Sequence, residues 1–395
     1  MKQSESTAKP KQRAVLVGVS LNRTVTDIDK ELSELMSLAD TAGLVVVGKD
    51  FQNIKQLTPA TLIGSGKVQE IAQLVKGVNA DVAVFDCELS GSQIGNLGAG
   101  IGVNVIDRSM LILDIFAGRA KTNEGRLQVE IAQLKYTLPR FKAISEASGR
   151  FGSAGVGMRG PGETKLELDK RIIKENILKL QKQIDEIKEQ RKVQSASRRR
   201  NNTKNVAIVG YTNAGKSTLM NTVTKAGIYA DDKLFATLDT TTRSLWLCNG
   251  KEILLTDTVG FIDKLPHAFI EAFSATLSEA RDADLLLHVV DITNPEYKKQ
   301  IEVVNKVLKE LGADKIPVIM VYNKADAVKD KQCLYYCCGK TRLGPARTVR
   351  SNKDTCPPAP DTPFNKDEFK DGVIISAKKN KGIDELKAEI AKVLF

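Results

Sequence analysis

The eight residues Gly210-Tyr211-Thr212-Asn213-Ala214-Gly215-Lys216-Ser217 constrain this chain more than any other stretch. They fit the pattern G-x-x-x-x-G-K-[ST], follow the apolar run Asn205–Val209 and open a helical pattern. Glycines at these positions let backbone N–H groups close around phosphate oxygens, and the helix N-terminus behind them adds partial positive charge. Lys216 is expected to bridge the β- and γ-phosphates, and the Ser217 hydroxyl to ligate Mg²⁺. Thr218, in the same turn, joins the nucleotide-binding set. Strand, loop and helix in this order predict a doubly wound, mostly parallel α/β sheet.

Three further motifs follow in an order that makes sense around a nucleotide. Asp257-Thr258-Val259-Gly260 lies directly after the apolar strand Ile253–Leu255. Asp257 is expected to hold Mg²⁺ directly or through water, and Gly260 to offer its N–H to the γ-phosphate. Asn323-Lys324-Ala325-Asp326 follows the strand Val318–Tyr322. A carboxylate at Asp326 can accept from both N1–H and the exocyclic amine of guanine, a donor pair that adenine lacks. Asn323 would tie the base to the phosphate loop, and Lys324 would lie along the base plane. Ser376-Ala377-Lys378, after Val373–Ile375, would direct a backbone N–H toward the guanine carbonyl. Together these residues predict a GTP- and GDP-binding domain.

The switch element is read between the first two motifs, in Phe235-Ala236-Thr237-Leu238-Asp239-Thr240-Thr241-Thr242-Arg243. One threonine here should reach Mg²⁺ when GTP is bound, and Thr237 is favoured over Thr240, Thr241 and Thr242. The metal set is then Ser217, Thr237 and Asp257, and the catalytic set Lys216, Thr237 and Gly260. The residue after Gly260 is Phe261. A glutamine there would orient the attacking water, and phenylalanine cannot. Hydrolysis should therefore be slow alone and stimulated by a partner. Asn213 makes K⁺ a candidate cofactor as well, since an asparagine here helps hold that ion in some GTPases.

The remainder divides in three. Residues 1–118 alternate short β-branched runs (Ala14–Val19, Leu44–Gly48, Asp81–Asp86, Val103–Asp107) with helical patterns such as Thr26–Ala42, which predicts an α/β subdomain. Residues 119–203 read as an antiparallel helical hairpin. One arm is apolar at Leu127, Ile131, Leu134 and Leu138, with a break expected at Pro139. The other repeats Leu166, Ile173, Leu180 and Ile187, with Ile177 and Ile184 at the second heptad position and Lys170 as its missing member. A free coiled-coil dimer is the competing reading. Ser148–Gly162 between the arms is too glycine-rich for regular structure and long for an idle loop. Arg198, Arg199 and Arg200, with Asn201 and Asn202, read as a basic flexible linker. Residues 204–395 are the GTP-binding domain, carrying an insertion over about 331–363 with Cys333, Cys337, Cys338 and Cys356. That spacing fits no usual zinc ligand pattern, so a solvated surface insertion is expected.

The formal net charge of +11 and pI near 9.2 point to an anionic partner, most simply nucleic acid. Aromatics are only 5%, which favours phosphate contact over base stacking. A membrane span would need about 18 successive apolar residues, and none exists. The polar start MKQSESTAKPKQR has no apolar core for a secretory leader, and six cysteines in a chain this long make no disulfide framework. A cytoplasmic protein is expected.

Beyond the nucleotide motifs, the chain resembles the HflX family of GTPases from about residue 14 to 395. Ile63-Gly64-Ser65-Gly66-Lys67, Asp107-Arg108, Gly125-Arg126-Leu127-Gln128-Val129-Glu130, Arg159-Gly160-Pro161-Gly162-Glu163-Thr164 and Phe235–Asp239 carry the likeness. The resemblance implies binding to the large ribosomal subunit and its RNA, splitting or rescue of stalled ribosomes under stress, and a glycine-rich loop that approaches the peptidyl transferase centre. It also implies a monomer in the cytoplasm with a membrane-associated fraction, and raises ATP binding by the N-terminal region. For Gly64–Lys67 the residues themselves favour a tight turn with a surface lysine. Thr240 and Lys165 depart from the family's usual proline and glutamine. The alternative function is a GTP-dependent scaffold for protein partners.

Overall fold

The structure is a computed structural model, and it describes residues 11–21, 25–54, 57–150, 165–200, 203–224, 234–264, 269, 279–327, 369 and 371–395. The chain divides into two compact units, Met1–Ile187 with Pro266–Ala272, and Lys188–Leu265 with Phe273–Phe395. The glycine-rich residues from 151 to 164, Asn201, Asn202 and the cysteine-bearing insertion lie outside the described residues.

In the first unit, strands β1 (Arg13–Leu21), β2 (Val45–Ile54), β3 (Val82–Phe85) and β4 (Asn104–Asp107) pair in the order β2-β1-β3-β4, all parallel. Helices α1 (Val25–Thr41), α2 (Ser65–Gly77), α3 (Gly91–Ile101) and α4 (Arg108–Arg119) connect and follow them. The central strands β1 and β3 are buried, all four residues of β3 included, whereas the edge strand β2 is exposed or half-buried along most of its length. Val15, Val17, Ile63, Ile71, Phe85 and Leu97 form the centre of that core. Helix α3 starts with a capping box, Ser90 with Gln93, and ends at left-handed Gly102.

The family-like pair Asp107-Arg108 has a structural job. Asp107 Oδ1 accepts from Met110 N at 2.9 Å and caps α4, while Oδ2 accepts from Leu89 N at 3.0 Å. Burial pushes its carboxyl above the usual range. Arg108 pairs with Asp86 at 2.9 Å and with Glu34 at 2.5 Å. These groups fill the C-terminal rim of the sheet with the protein's own charges, where such sheets commonly take a ligand.

Helices α5 (Asn123–Arg150) and α6 (Lys165–Arg200) follow. Leu127 and Ile131 of α5 cluster with Leu180, Ile184 and Ile187 of α6, so the start of one helix meets the later part of the other, as an antiparallel pair does. Ile177 and Ile184 are buried on the heptad face read from the sequence.

Three expectations fail in this region. Pro139 does not break its helix; it lies inside α5. Arg140 beside it donates to Leu89 O at 2.9 Å, to Tyr136 O at 3.1 Å and to Glu88 at 2.8 Å, and the bonds to Leu89 and Glu88 tie this part of α5 to residues far away in sequence. Ser148–Arg150, expected outside regular structure, form the end of α5. Arg198–Arg200 are the last residues of α6 rather than a flexible linker, since Lys165–Arg200 contains neither glycine nor proline to end the helix earlier.

The second unit holds strands β5 (Lys204–Gly210), β6 (Thr241–Trp246), β7 (Glu252–Asp257), β8 (Leu285–Asp291), β9 (Val318–Asn323) and β10 (Gly372–Ile374), with helices α7 (Lys216–Thr224), α8 (Tyr297–Glu310) and α9 (Ile383–Leu394). The sheet order is β10-β9-β8-β5-β7-β6, parallel except for β6 against β7. Ile208 registers with Asp257, Gly210 with Val289, and Asp291 with Asn323. The parallel strands thus end at one rim, where β6 begins, and the apolar runs deliver polar residues there. Both units are α/β, as expected.

Candidate nucleotide-binding site

The phosphate loop joins the end of β5 to the start of α7. Gly215 adopts φ +93°, and a Cβ built on it would lie 2.3 Å from Asn323 Nδ2, so both conformation and crowding require glycine. Lys216 is only 6% exposed, and its Nζ donates to Tyr211 O at 2.8 Å and Gly210 O at 3.2 Å. Burial lowers its pKa to about 8, against the pull of Asp257. A cation held among backbone carbonyls, short of a full counter-charge, suits an incoming anion.

Ser217, Thr237 and Asp257 converge. Ser217 Oγ lies 2.6 Å from Thr237 Oγ1 and donates to Asp257 Oδ2 at 2.7 Å; Thr237 Oγ1 reaches the same oxygen at 3.1 Å. Asp257 is fully buried, and its Oδ1 has no hydrogen-bond partner. Burial raises its pKa although Lys216, Ser217, Thr237 and Thr258 work against that rise. Two hydroxyls on Asp257 Oδ2, beside a buried Oδ1 that has no partner, make a set of hard oxygens suited to Mg²⁺. Thr241 and Thr242 instead belong to β6, where Thr242 Oγ1 meets Thr256 Oγ1 at 2.9 Å; Thr240 precedes that strand.

Phe261 is 1% exposed, and its backbone binds the phosphate loop: Phe261 N donates to Gly210 O at 3.1 Å and Thr212 N to Phe261 O at 2.7 Å. Its ring belongs to the core and offers nothing to a water molecule. A Cβ on Gly260 would lie 2.8 Å from Thr212 Cα and 2.9 Å from Lys216 Nζ. Thr258 Oγ1 donates to Ile208 O at 2.7 Å, and Val259 is buried, so both act as scaffold here. Thr218 and Asn213 lie on the loop and helix start, Asn213 exposed with φ +59°.

The base-side motifs also meet. Asn323 Nδ2 donates to Ala214 O at 3.0 Å, and its Oδ1 accepts from Ala377 N at 3.0 Å. Ser376 Oγ donates to Asp326 Oδ1 at 2.6 Å and aims that carboxylate. Because the Ala377 amide is engaged by Asn323, the N–H of Lys378 is the neighbouring candidate for a base carbonyl.

Sequence reasoning missed one residue and the side-chain role of another. Asp291 pairs with Lys324 Nζ at 2.7 Å and accepts from Thr293 N at 3.0 Å, which fixes the lysine over the base side. The available signal was a carboxylate closing the apolar run Leu285–Asp291. Tyr211, expected in the phosphate loop, has a further role: its hydroxyl accepts from Asp263 N at 2.9 Å and ties the segment after Gly260 to that loop.

In the first unit, Lys67 is not a free surface lysine. Its Nζ lies 2.7 Å from Asp50 and 3.1 Å from Glu70. Burial pulls its pKa down, but the two carboxylates outweigh that and raise it. An ATP phosphate would meet two carboxylates beside the lysine, an arrangement that opposes anion binding.

Comparison with known proteins agrees with this geometry. Residues 29–117 match a family described as GTP-binding GTPase N-terminal, 119–198 one described as GTP-binding GTPase Middle Region, and 205–324 one described as 50S ribosome-binding GTPase. A protein named GTPase HflX from Caldanaerobacter subterraneus is 49% identical over 325 residues, spanning 82% of this chain and 75% of that protein. Its namesake from Escherichia coli is 44% identical over 321 residues, spanning 81% and 74%. A solved structure, SsGBP in complex with GDP, is 24% identical with a TM-score of 0.50 over 97% of this chain and 98% of that one, a likeness of fold. Among the described residues, no helix is long and apolar enough to cross a membrane.

Proposed function

The chain belongs to the HflX family of GTPases, and from that premise we propose that its GTP hydrolysis acts on the large ribosomal subunit, splitting or rescuing stalled ribosomes. GTP binding and hydrolysis themselves are the family's activity. The observation that carries the reading is the match of residues 205–324 to a 50S ribosome-binding GTPase. The net charge of +11 supports a polyanionic partner.

Residue roles follow from position. Gly210–Thr218 cradle the phosphates, with Lys216 bound to the β- and γ-phosphates in place of its two carbonyl partners. Ser217, Thr237 and Asp257 would hold Mg²⁺, which supplies positive charge against the phosphate oxygens. Gly260 presents its N–H to the γ-phosphate. Asp326, aimed by Ser376, takes the guanine N1–H and amine, with Asn323, Lys324, Ala377 and Lys378 around the base. Phe235, Thr258 and Val259 hold the two switch segments against this cradle. Phe261 is buried and orients no water, so turnover is slow until the ribosome supplies the missing group. Exposed Asn213 keeps K⁺ as a candidate; equal turnover in sodium and potassium buffers would dispose of it.

The test is GTP turnover with and without purified large subunits, together with co-sedimentation at graded salt. Stimulation of turnover, and binding that needs GTP and weakens steeply with salt, is the expected result. Turnover indifferent to subunits, with sedimentation indifferent to nucleotide, would leave the scaffold reading instead.

A further inference from the structure

Switch residues usually need the γ-phosphate to place them, but here the protein carries its own tether. Thr212 is 6% exposed, and its Oγ1 accepts a hydrogen bond from Phe235 N at 3.0 Å. The same residue's backbone N donates to Phe261 O at 2.7 Å, and its Cα lies against Gly260. One phosphate-loop residue therefore touches both segments that must respond to nucleotide.

The acceptor matters because of where Phe235 sits. It holds φ +53°, a left-handed conformation unfavourable for a bulky residue, while its ring is 2% exposed. Such backbone persists only where its surroundings over-determine it. The buried ring supplies one anchor and the Thr212 hydroxyl another. Two residues on, the Thr237 hydroxyl arrives beside Ser217 and Asp257.

We propose that Thr212 is a positioning residue whose side-chain hydroxyl holds Phe235 in its strained turn and so delivers Thr237 to the oxygen cluster. It touches none of the reacting atoms through that hydroxyl. The role rests on the magnesium reading only where metal is measured; the tether itself is testable without nucleotide.

The experiment uses the full chain and three variants, Thr212→Val, Thr212→Ala and Thr212→Ser. Amide hydrogen exchange over Leu234–Leu238 in nucleotide-free protein reads the tether. Thr212→Val and Thr212→Ala should speed that exchange about 10-fold, the size of one lost hydrogen bond, and Thr212→Ser should restore it. The Mg²⁺ concentration giving half-maximal turnover should rise several-fold in the same two variants and return in Thr212→Ser. The alanine variant keeps the test in hand should valine not fold. Unchanged exchange overturns the tether. Faster exchange with an unchanged Mg²⁺ requirement overturns the delivery of Thr237. A Thr237→Ala control separates the two readings: if it also leaves the Mg²⁺ requirement unchanged, the proposed metal set has failed rather than Thr212.

Discussion

Gly64-Ser65-Gly66-Lys67 opens α2 in the first unit, and Gly215-Lys216-Ser217 opens α7 in the second. The residue types are nearly the same, and both lysines sit in the first turn of a helix. Their surroundings differ in kind. Gly64 adopts an ordinary φ of −67° and a Cβ on Gly66 would meet nothing, whereas Gly215 tolerates no Cβ at all. Lys67 is neutralised by Asp50 and Glu70 and its pKa is raised; Lys216 rests on carbonyl oxygens and its pKa falls to about 8. Lys216 thus differs from Lys67 in bonding carbonyls rather than carboxylates and in following a crowded glycine, an arrangement better suited to an anion.

The comparison breaks most readily at the lysines. Lys216→Ala should lower GTP turnover by about 10²–10³-fold or more in a phosphate-release assay, the scale for losing one preorganised charge partner. Next comes base choice: Asp326→Asn should weaken GTP binding by on the order of 100-fold and favour xanthosine triphosphate, read by competition binding. Gly260→Ala should then slow turnover by roughly 10-fold, because the new methyl collides with Thr212 and Lys216.

A smaller effect sharpens the contrast between units. His288 on β8 is 1% exposed, and burial lowers its pKa to about 4 from 6.5. Between those values the unfolded chain binds the proton and the folded one does not. Stability is therefore full above pH 6.5 and falls as pH drops toward 4, by on the order of 2–3 kcal/mol. His288→Leu should flatten that slope in thermal melts taken from pH 7 to pH 5, and the loss should appear in the second unit's sheet. Smallest is Lys67→Ala, which should leave GTP turnover within about twofold while costing the first unit ~1 kcal/mol in chemical unfolding.

The nucleotide site was legible because its requirements are local. Gly210–Ser217, Asp257–Gly260, Asn323–Asp326 and Ser376–Lys378 each sit where an apolar strand ends, and strand-end residues of a parallel sheet share one rim. Thr237, favoured over Thr240, Thr241 and Thr242, is the threonine of that stretch whose hydroxyl lies beside Ser217 and Asp257. Asp291 and the Tyr211 hydroxyl were not, since a carboxylate closing a strand or a tyrosine in a loop carries no pattern until its partner is known. The break expected at Pro139 does not occur, and the partners of Arg140 beside it, Leu89 and Glu88, lie far away in sequence where no local pattern reveals them.

The order of amino acids alone determined the two α/β sheets, the helical arms and the guanine-nucleotide motifs, because period, apolar runs and glycine spacing act over a few residues. Which of the two lysines hydrogen-bonds carbonyls and which carboxylates was settled elsewhere. That outcome, like the tether from Thr212 to Phe235 and the ion pairs of Arg108, depends on groups brought together from distant parts of the chain, where burial magnifies each charge and hydrogen bond.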